Sequence, residues 1–350
     1  MEKLPLQFGL DTFGGMAKDD DGNDLSAGQT IRNIVEQAQM ADQLGINHFN
    51  VGEHHRDDFA VSAPDTVLAG IATVTKNIIL GTGVTVLSSE DPVRVYQRFA
   101  TIAALSNGRT EITAGRGSFT ESFPLFGFNL ADYEKLFEER LELLVELLKE
   151  GPVTWAGETR AALNNQQVYP KTERPIGLRV GVGGSPHSVI RAAKHGAALA
   201  LAIIGGHPSR FEPFAGLYRE SLKRFDKPQL DIGLHSPGHV APTDEQAMAE
   251  LWPNYLASFG RIGRERGWGP MTYEHFAHEA QNGSVYVGSP ETVARKIIEG
   301  LKVTGANRFD LKFDNGPMSQ TMLLRSIELY GKEVIPMVRA ELGEEIEISL

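Results

Sequence analysis

The sequence contains no cysteine among its 350 residues. Disulfides, thiolate zinc sites, iron–sulfur clusters and cysteine nucleophiles are excluded together, and nothing supports an oxidising compartment. Long apolar runs are missing too. The most apolar stretches, Asn77 to Leu87 and Gly196 to Gly206, fall short of the roughly 20 residues that cross a bilayer. The start, MEKLPLQFGLDTF, carries too short an apolar run for a signal peptide. Positive charge is in deficit, with 34 Lys+Arg against 45 Asp+Glu and a formal net charge of −11. A nucleic-acid backbone is bound by clustered Lys and Arg, and no basic stripe is found. The expectation is a cytoplasmic protein with no membrane and no nucleic-acid partner. What is present is ordinary for a packed chain, 41% hydrophobic and 23% charged, so a sizeable core is expected.

Short apolar runs rich in β-branched or small residues recur, each followed by a segment with helical periodicity. Eight strands are read: Leu6 to Asp11, His48 to Gly52, Ile78 to Val86, Thr110 to Ala114, Leu178 to Gly183, Leu199 to Ile204, Asp231 to His235 and Arg308 to Phe313. Helices are read over Ala27 to Leu44, Pro92 to Leu105, Tyr133 to Lys149, Pro186 to His195, Glu212 to Phe225 and Pro290 to Val303. Eight alternations fit a closed barrel better than an open doubly wound sheet, because no GxGxxG fingerprint follows the first strand. The expected fold class is α/β, a (β/α)8 TIM barrel with inserted segments, read as a single domain over residues 1–350. Two stretches exceed the minimal repeat. Residues 152–175 place Val153, Trp155, Val168 and Tyr169 around a polar middle, as in a hairpin excursion. Residues 238–284 hold extra helices, Asp244 to Ser258 and Thr272 to Ala280, placed to cover the catalytic end as a lid.

In a barrel the carboxyl ends of the strands carry the chemistry. The second strand ends in VGEHHRDDF, and alternation along a strand gives Glu53 and His55 one direction and His54 the other. Three readings stand: residues satisfying turn backbone, an active-site acid, base or donor, or metal ligands completed by His207, His235 and Asp314. Alternation makes the metal reading awkward, and no metal is expected. Histidine exchanges protons near neutral pH, which suits an acid–base role. The fifth strand runs into GVGGSPHSVIRAAKHG, where Gly183 and Gly184 form the turn, Ser185 takes the N-cap position and Pro186 the first helical position. Free N–H groups and the helix dipole would face a phosphate there, with Ser185 and Ser188 adding hydroxyls; simple capping is the alternative. A second cap, GSPETVARK, serves as a control, because Glu291 in its first turn supplies negative charge internally. Arg116 lies between two glycines after the fourth strand, a setting for bidentate phosphate contact or for a plain surface arginine. Phe119, Phe123, Phe126 and Phe128 wall an apolar pocket or pack a helix. Gly81 and Gly83 interrupt the third strand, as at a bend or a close approach to a ligand.

In this order, FGLDTF, EHH at 53–55, GTGVTVLSSEDPVRVYQ, GRGSF at 115–119, GGSPHS at 183–188 and VGSPETVARKI resemble the bacterial luciferase-like, flavin-dependent monooxygenases over most of the chain. The resemblance implies a barrel with FMN at the carboxyl ends of its strands, a homodimer, and reduced flavin supplied by a separate flavin reductase. It implies reaction with O2 and transfer of one oxygen atom to a small organic substrate. Carried over, His54 is the active-site histidine near the flavin ring, with Glu53 and His55 beside it. Arg116 meets the flavin phosphate, Ser185 and Ser188 are hydroxyls of the phosphate loop, and Gly83 and Val84 match a non-proline cis peptide behind the ring. The light-emitting subunit carries a cysteine where this chain has Gly115, which speaks against luminescence with a long-chain aldehyde. Within the fold, a deazaflavin-dependent oxidoreductase is the alternative; a non-catalytic flavin-binding protein and a metal-dependent hydrolase are others.

Overall fold

The structure is a computed structural model and describes residues 2–117, 119–265, 267 and 269–348. Eight parallel strands form its centre: β1 (Gln7–Thr12), β2 (His48–Val51), β3 (Ile79–Thr82), β4 (Glu111–Gly115), β5 (Gly177–Val182), β6 (Ala198–Ala202), β7 (Ile232–Val240) and β8 (Arg308–Lys312). They are hydrogen-bonded in the order β3, β2, β1, β8, β7, β6, β5, β4. Closure comes from the pairing of Leu80 with Thr110, and from Thr85–Val86, which pairs with Ala114 and Gly115 of β4. The expected barrel is thus observed.

Alternation dictates which side chains face the helices. Phe8 and Leu10, Phe49 and Val51, and Phe309 and Leu311 are fully buried in the core between strands and helices. Full burial of one such side chain contributes roughly 1.5–3 kcal/mol. The surrounding helices are α1 (Ala27–Gln43), α2 (Pro64–Ala72), α3 (Pro92–Ser106), α4 (Tyr133–Leu148), α5 (Pro186–Lys194), α6 (Glu212–Arg224), α7 (Asp244–Glu265), α8 (Tyr273–Asn282), α9 (Pro290–Thr304) and α10 (Gln320–Leu329). Their starts follow the sequence signals. Ser26 accepts from the Gln29 N–H, and Asp91 from the N–H groups of Val93 and Arg94. None of the described helices is long and apolar enough to cross a membrane.

Three boundaries differ from the sequence reading. The run Ile78 to Val86 is not one strand: β3 ends at Thr82, a cis Gly83–Val84 peptide follows, and Thr85–Val86 pairs separately with β4. Strand β7 continues from His235 to Val240, since Gly238, His239 and Val240 find a second partner in Tyr286–Gly288. Helix α7 runs about two turns beyond Ser258. The 152–175 excursion is a hairpin, Val153–Trp155 against Leu163–Gln166. Helices α2 and α10 were not anticipated, although Pro64 at the first position of α2 was a start signal.

Candidate active site

The inward positions of β3 to β6 include small residues, Gly81, Gly115, Gly181, Ala200 and Ala202, with Glu111 of β4 and Arg179 of β5 as charged exceptions at the bottom, and those of β1, β2, β7 and β8 are mostly polar. At the bottom, Arg308 donates to both oxygens of Glu111 (3.0 and 2.7 Å) and to Asp310 (2.8 and 2.9 Å), while Arg179 reaches Asp310 at 3.1 Å. Burial alone would raise the pKa of Glu111, but Arg308 and its neighbours hold it well below the usual carboxylate range. Burial, and then Arg308, lower the pKa of His48. Above this floor Asp11 accepts from Asn50 Nδ2 at 2.5 Å and pairs with Nδ1 of His235. Sequence reasoning missed this polar lumen, apart from naming His235 as a metal ligand. The signal was present in Arg308, Asp310 and Lys312, three charges at strand period within an otherwise apolar run.

Where the small residues lie, a cavity of about 600 Å³ opens at the carboxyl ends of the strands. The glycines are required for it. A Cβ on Gly115 would lie 2.4 Å from Val84 Cγ2, and one on Gly81 2.4 Å from Asn50 Oδ1. Val84 therefore occupies the space that a side chain at 115 would need.

Of the EHH residues, Glu53 and His54 line the cavity and His55 does not. His55 Nε2 meets Glu53 Oε1 at 2.9 Å, as the expected shared direction of the two requires, but Glu53 shares the cavity with His54 because the strand ends at Val51. Glu53 also accepts from the Val86 N–H at 3.2 Å, so it ties the EHH loop to the segment beside the cis peptide. The hydrogen bond to Glu53 raises the pKa of His55. His54 is buried among Phe13, Phe59 and Phe119, with its Nδ1 3.3 Å from Glu121 Oε1. Glu121, from the loop after β4, was not anticipated. Burial opposes its ionisation, but hydrogen bonds from His54 and from the backbone keep its pKa below the usual value. Asp314 and His207, the other suggested metal ligands, are engaged elsewhere: Asp314 accepts from Thr12 and His207 pairs with Glu299. Among the described residues no group of three or more His, Asp or Glu is placed to hold a metal ion.

The fourth and fifth strands converge as the sequence predicted. Arg116 Nη2 donates to Ser188 Oγ at 3.3 Å, Nη1 pairs with Glu134, and the guanidinium lies 5.2 Å over the Tyr133 ring. Ser188 is buried in the first turn of α5. Ser185 takes the N-cap position, yet its hydroxyl makes no capping hydrogen bond, and the first turn of α5 holds no acidic residue. Gly184 has φ +117°, and a Cβ on Gly183 would meet nothing within 4 Å. Ser118 of the GRGSF motif lies outside the described residues. The control cap at α9 differs, but not only for the reason expected. Ser289 accepts from the Thr292 N–H, and the carboxylate seated there is Asp244 of α7, which accepts from Ser289 N at 2.7 Å and Thr292 Oγ1 at 3.0 Å. Glu291 is in that first turn, but no local pattern pointed to Asp244.

Ala257, Ser258, Phe259, Arg261 and Ile262 of α7, in the stretch read as a lid, border the cavity, and Arg261 pairs with Asp57 of the loop after β2 at 2.7 Å. Phe119 lines the cavity, whereas Phe126 is exposed against His55 and Phe128 lies under Arg140. Phe123 is buried against Tyr133.

Comparison with known proteins places these features in context. The N-acetyl-S-alkylcysteine monooxygenase of Bacillus subtilis (strain 168) is 30% identical over 226 residues, 63% of each chain. The limonene 1,2-monooxygenase of Rhodococcus erythropolis is 25% identical over 97% of this chain and 89% of its own. Among solved structures, the monooxygenase RslO1 from Streptomyces bottropensis superposes with a TM-score of 0.81 at 21% identity, covering 95% of this chain and 99% of the other. The oxygenating constituent of 3,6-diketocamphane monooxygenase from Pseudomonas putida, in complex with FMN, gives 0.75 at 19% identity, covering 95% and 98%. These two structures share the fold. Residues 12–308 match the family model described as luciferase-like monooxygenase, and the chain belongs to that family.

Proposed function

We propose that this enzyme uses reduced FMN and O2 to place one oxygen atom in a small organic substrate, with the flavin phosphate at the start of α5. The observation that carries the reading is the junction of Arg116, Ser188 and an N-cap without a capping bond, joined through Gly183 to the cavity beside the cis Gly83–Val84 peptide. The donor set fits the group: a guanidinium, two hydroxyls and a helix N-terminus lacking a carboxylate in its own first turn suit a phosphate dianion. The Pseudomonas putida neighbour, solved with FMN, adds support.

Reduced FMN supplies the electrons; O2 is split between the substrate and water. The chain supplies the setting. Arg116, Ser185 and Ser188 would hold the phosphate, with Gly183 and Gly184 allowing it close approach, and Gly83 and Val84 would line the wall beside the ring. Glu121 orients His54, whose other nitrogen hydrogen-bonds the reacting oxygen or the substrate. Glu53, anchored by His55 and the Val86 N–H, keeps the His54 loop in register, so Glu53 and His55 act by positioning. Phe259 and Ile262 of the lid exclude water, and the Arg261–Asp57 pair holds the lid to the EHH loop.

Reduced flavin comes from a separate reductase, in keeping with the description of the Pseudomonas putida neighbour as an oxygenating constituent. A cytoplasmic homodimer is the proposed working form, with exposed Val74 and Leu105 at the ends of α2 and α3 providing an apolar contact. Sedimentation checks the dimer. Fluorescence titration of the apo-protein with FMN tests the cofactor. The parent binds, and Arg116→Ala weakens binding by about 10- to 100-fold, the range of a charge-assisted hydrogen bond; Ser185→Ala weakens it less. A parent that binds a deazaflavin but not FMN refutes the cofactor assignment. His54→Ala is expected to bind FMN and lose oxygenation, and undiminished oxygenation would remove its role.

A further inference from the structure

The functional reading leaves a second carboxylate–imidazole pair unused in the same cavity. His235 stands midway along β7 and lines the cavity. Its Nδ1 is hydrogen-bonded to Asp11 Oδ2, and Asp11, 4% exposed, is fixed in turn by Asn50 Nδ2. Such pairing sets the ring's orientation and leaves Nε2 for another partner. Among the described residues Nε2 has none. Phe13 stacks on the His235 ring, with centroids 5.8 Å apart and planes within 9°, and meets His54 edge-on at 5.3 Å. The two imidazoles therefore flank one phenyl ring, which Lys312, engaged by Asp314 and Asn315, covers at 4.7 Å.

Arg179 borders the cavity floor below. A Cβ on Gly233, two residues before His235 on the same face of β7, would lie 2.0 Å from Arg179 Nη2. Arg179 is 3% exposed; it uses Nη1 on Asp310, while Nη2 and Nε have no partner among the described residues. A buried guanidinium with unused donors is uncommon, since buried polar groups are normally hydrogen-bonded. A ring nitrogen without a partner, a buried cation in the floor and walls of Phe13, Phe59 and Phe119 together describe a receptor. It fits a planar group that gives up a proton and keeps the negative charge.

We propose that Asp11–His235 is an acid–base pair for an ionisable hydroxyl, and that the substrates of this enzyme are phenols or enols bound with that hydroxyl at His235 Nε2. The substrate's later oxygenation rests on the monooxygenase reading; the proton transfer does not. In this step the substrate O–H bond breaks and its electron pair stays on oxygen, delocalised into the ring or double bond. The proton forms the N–H bond at Nε2, and Asp11 remains ionised beside the imidazolium. Arg179 offsets the new oxyanion from the floor. His235 is the catalytic residue and Asp11 a positioning residue. No oxidant or reductant enters the step.

The probe is 4-nitrophenol, colourless as the phenol and yellow as the phenolate, titrated into the full-length apo-protein below the probe's own pKa. The parent develops a saturable phenolate band. Asp11→Asn binds the probe with about tenfold less phenolate, and His235→Asn and His235→Gln give none, with circular dichroism reporting the fold of each. 4-Nitroanisole, which has no proton to give, produces no band. FMN titrations on the same samples separate the two claims. A parent that binds FMN without developing the phenolate band, or variants that match it, overturn the pair. A band that forms in a parent unable to bind FMN supports the pair and refutes only the cofactor reading.

Discussion

Replacing Glu250 with Gln will cost about 3 kcal/mol of folding stability at neutral pH, and the loss will shrink in acid. Glu250 sits in the second turn of the lid helix α7. It accepts from His239 of β7 at 2.7 Å, from Gln246 at 2.8 Å, and from Arg325 of α10 at 2.6 and 2.5 Å. Burial opposes its ionisation, but those hydrogen bonds prevail and lower its pKa from 4.5 to about 2. A carboxylate depressed in the folded state contributes stability that is present above its unfolded pKa and lost as pH falls through the folded one. The shift corresponds to about 3 kcal/mol at pH 7, and to about 1 kcal/mol at pH 3, where the unfolded carboxylate is already protonated. Urea denaturation of the parent and Glu250→Gln at both pH values measures this as a difference of differences, which cancels the other carboxylates. The parent-minus-variant gap should fall by more than half. A gap that is the same at both pH values, or below about 1 kcal/mol at pH 7, refutes the reasoning, the latter being the worth of an ordinary surface pair. Because α7 carries Phe259 and Ile262 into the cavity, the variant should also loosen the lid, seen as faster amide exchange in residues 257–262.

Three further outcomes follow from the geometry. Gly115→Ala pushes a methyl group into Val84 and should lose about 1–3 kcal/mol in thermal denaturation, with Val84→Ala restoring much of the loss. Glu134→Gln removes the carboxylate paired with Arg116 and should tighten FMN binding while Arg116→Ala weakens it, both read by fluorescence titration; weaker binding in Glu134→Gln would contradict the assignment of Arg116. Arg308→Met leaves Glu111 and Asp310 buried without their main cation and should cost about 3–5 kcal/mol in urea denaturation, while Lys302→Met, at an exposed pair, should cost under about 1 kcal/mol.

The barrel was legible because its strands and helices differ in period, and because the inserted stretches break that period. The phosphate loop was legible because Gly183, Gly184, Ser185 and Pro186 encode a turn and a helix start in consecutive residues. The cis bond at Gly83–Val84 followed only from family resemblance, since glycine in a strand indicates a bend without specifying its form. Glu121, Asp244 and Asp11 were missed for a common reason. Each acts on a residue distant in sequence: Glu121 on His54, Asp244 on Ser289, Asp11 on His235. Local pattern carries no record of such partners. The end of β7 was missed likewise, because its last three residues pair with Tyr286–Gly288, across the whole lid insertion.

The lumen itself argues for a site built at the expense of stability. A barrel interior filled by branched aliphatic side chains is the usual solution, and well-packed apolar groups commonly match or exceed a buried ion cluster of similar volume. Here the upper wall of β3 to β6 is largely glycine and alanine, which gives up packing to create the cavity. The floor below holds Glu111, Asp310, Arg179 and Arg308, two carboxylates against two guanidinia. Such a floor is held rigid by its own hydrogen bonds, so the Arg179 charge is fixed in place, with no reorganisation when negative charge arrives above it. Stability alone favours a different filling. The requirement that the polar floor satisfies is a preorganised electrostatic environment beneath His235, and the small residues supply the room for a cofactor and a planar substrate above it.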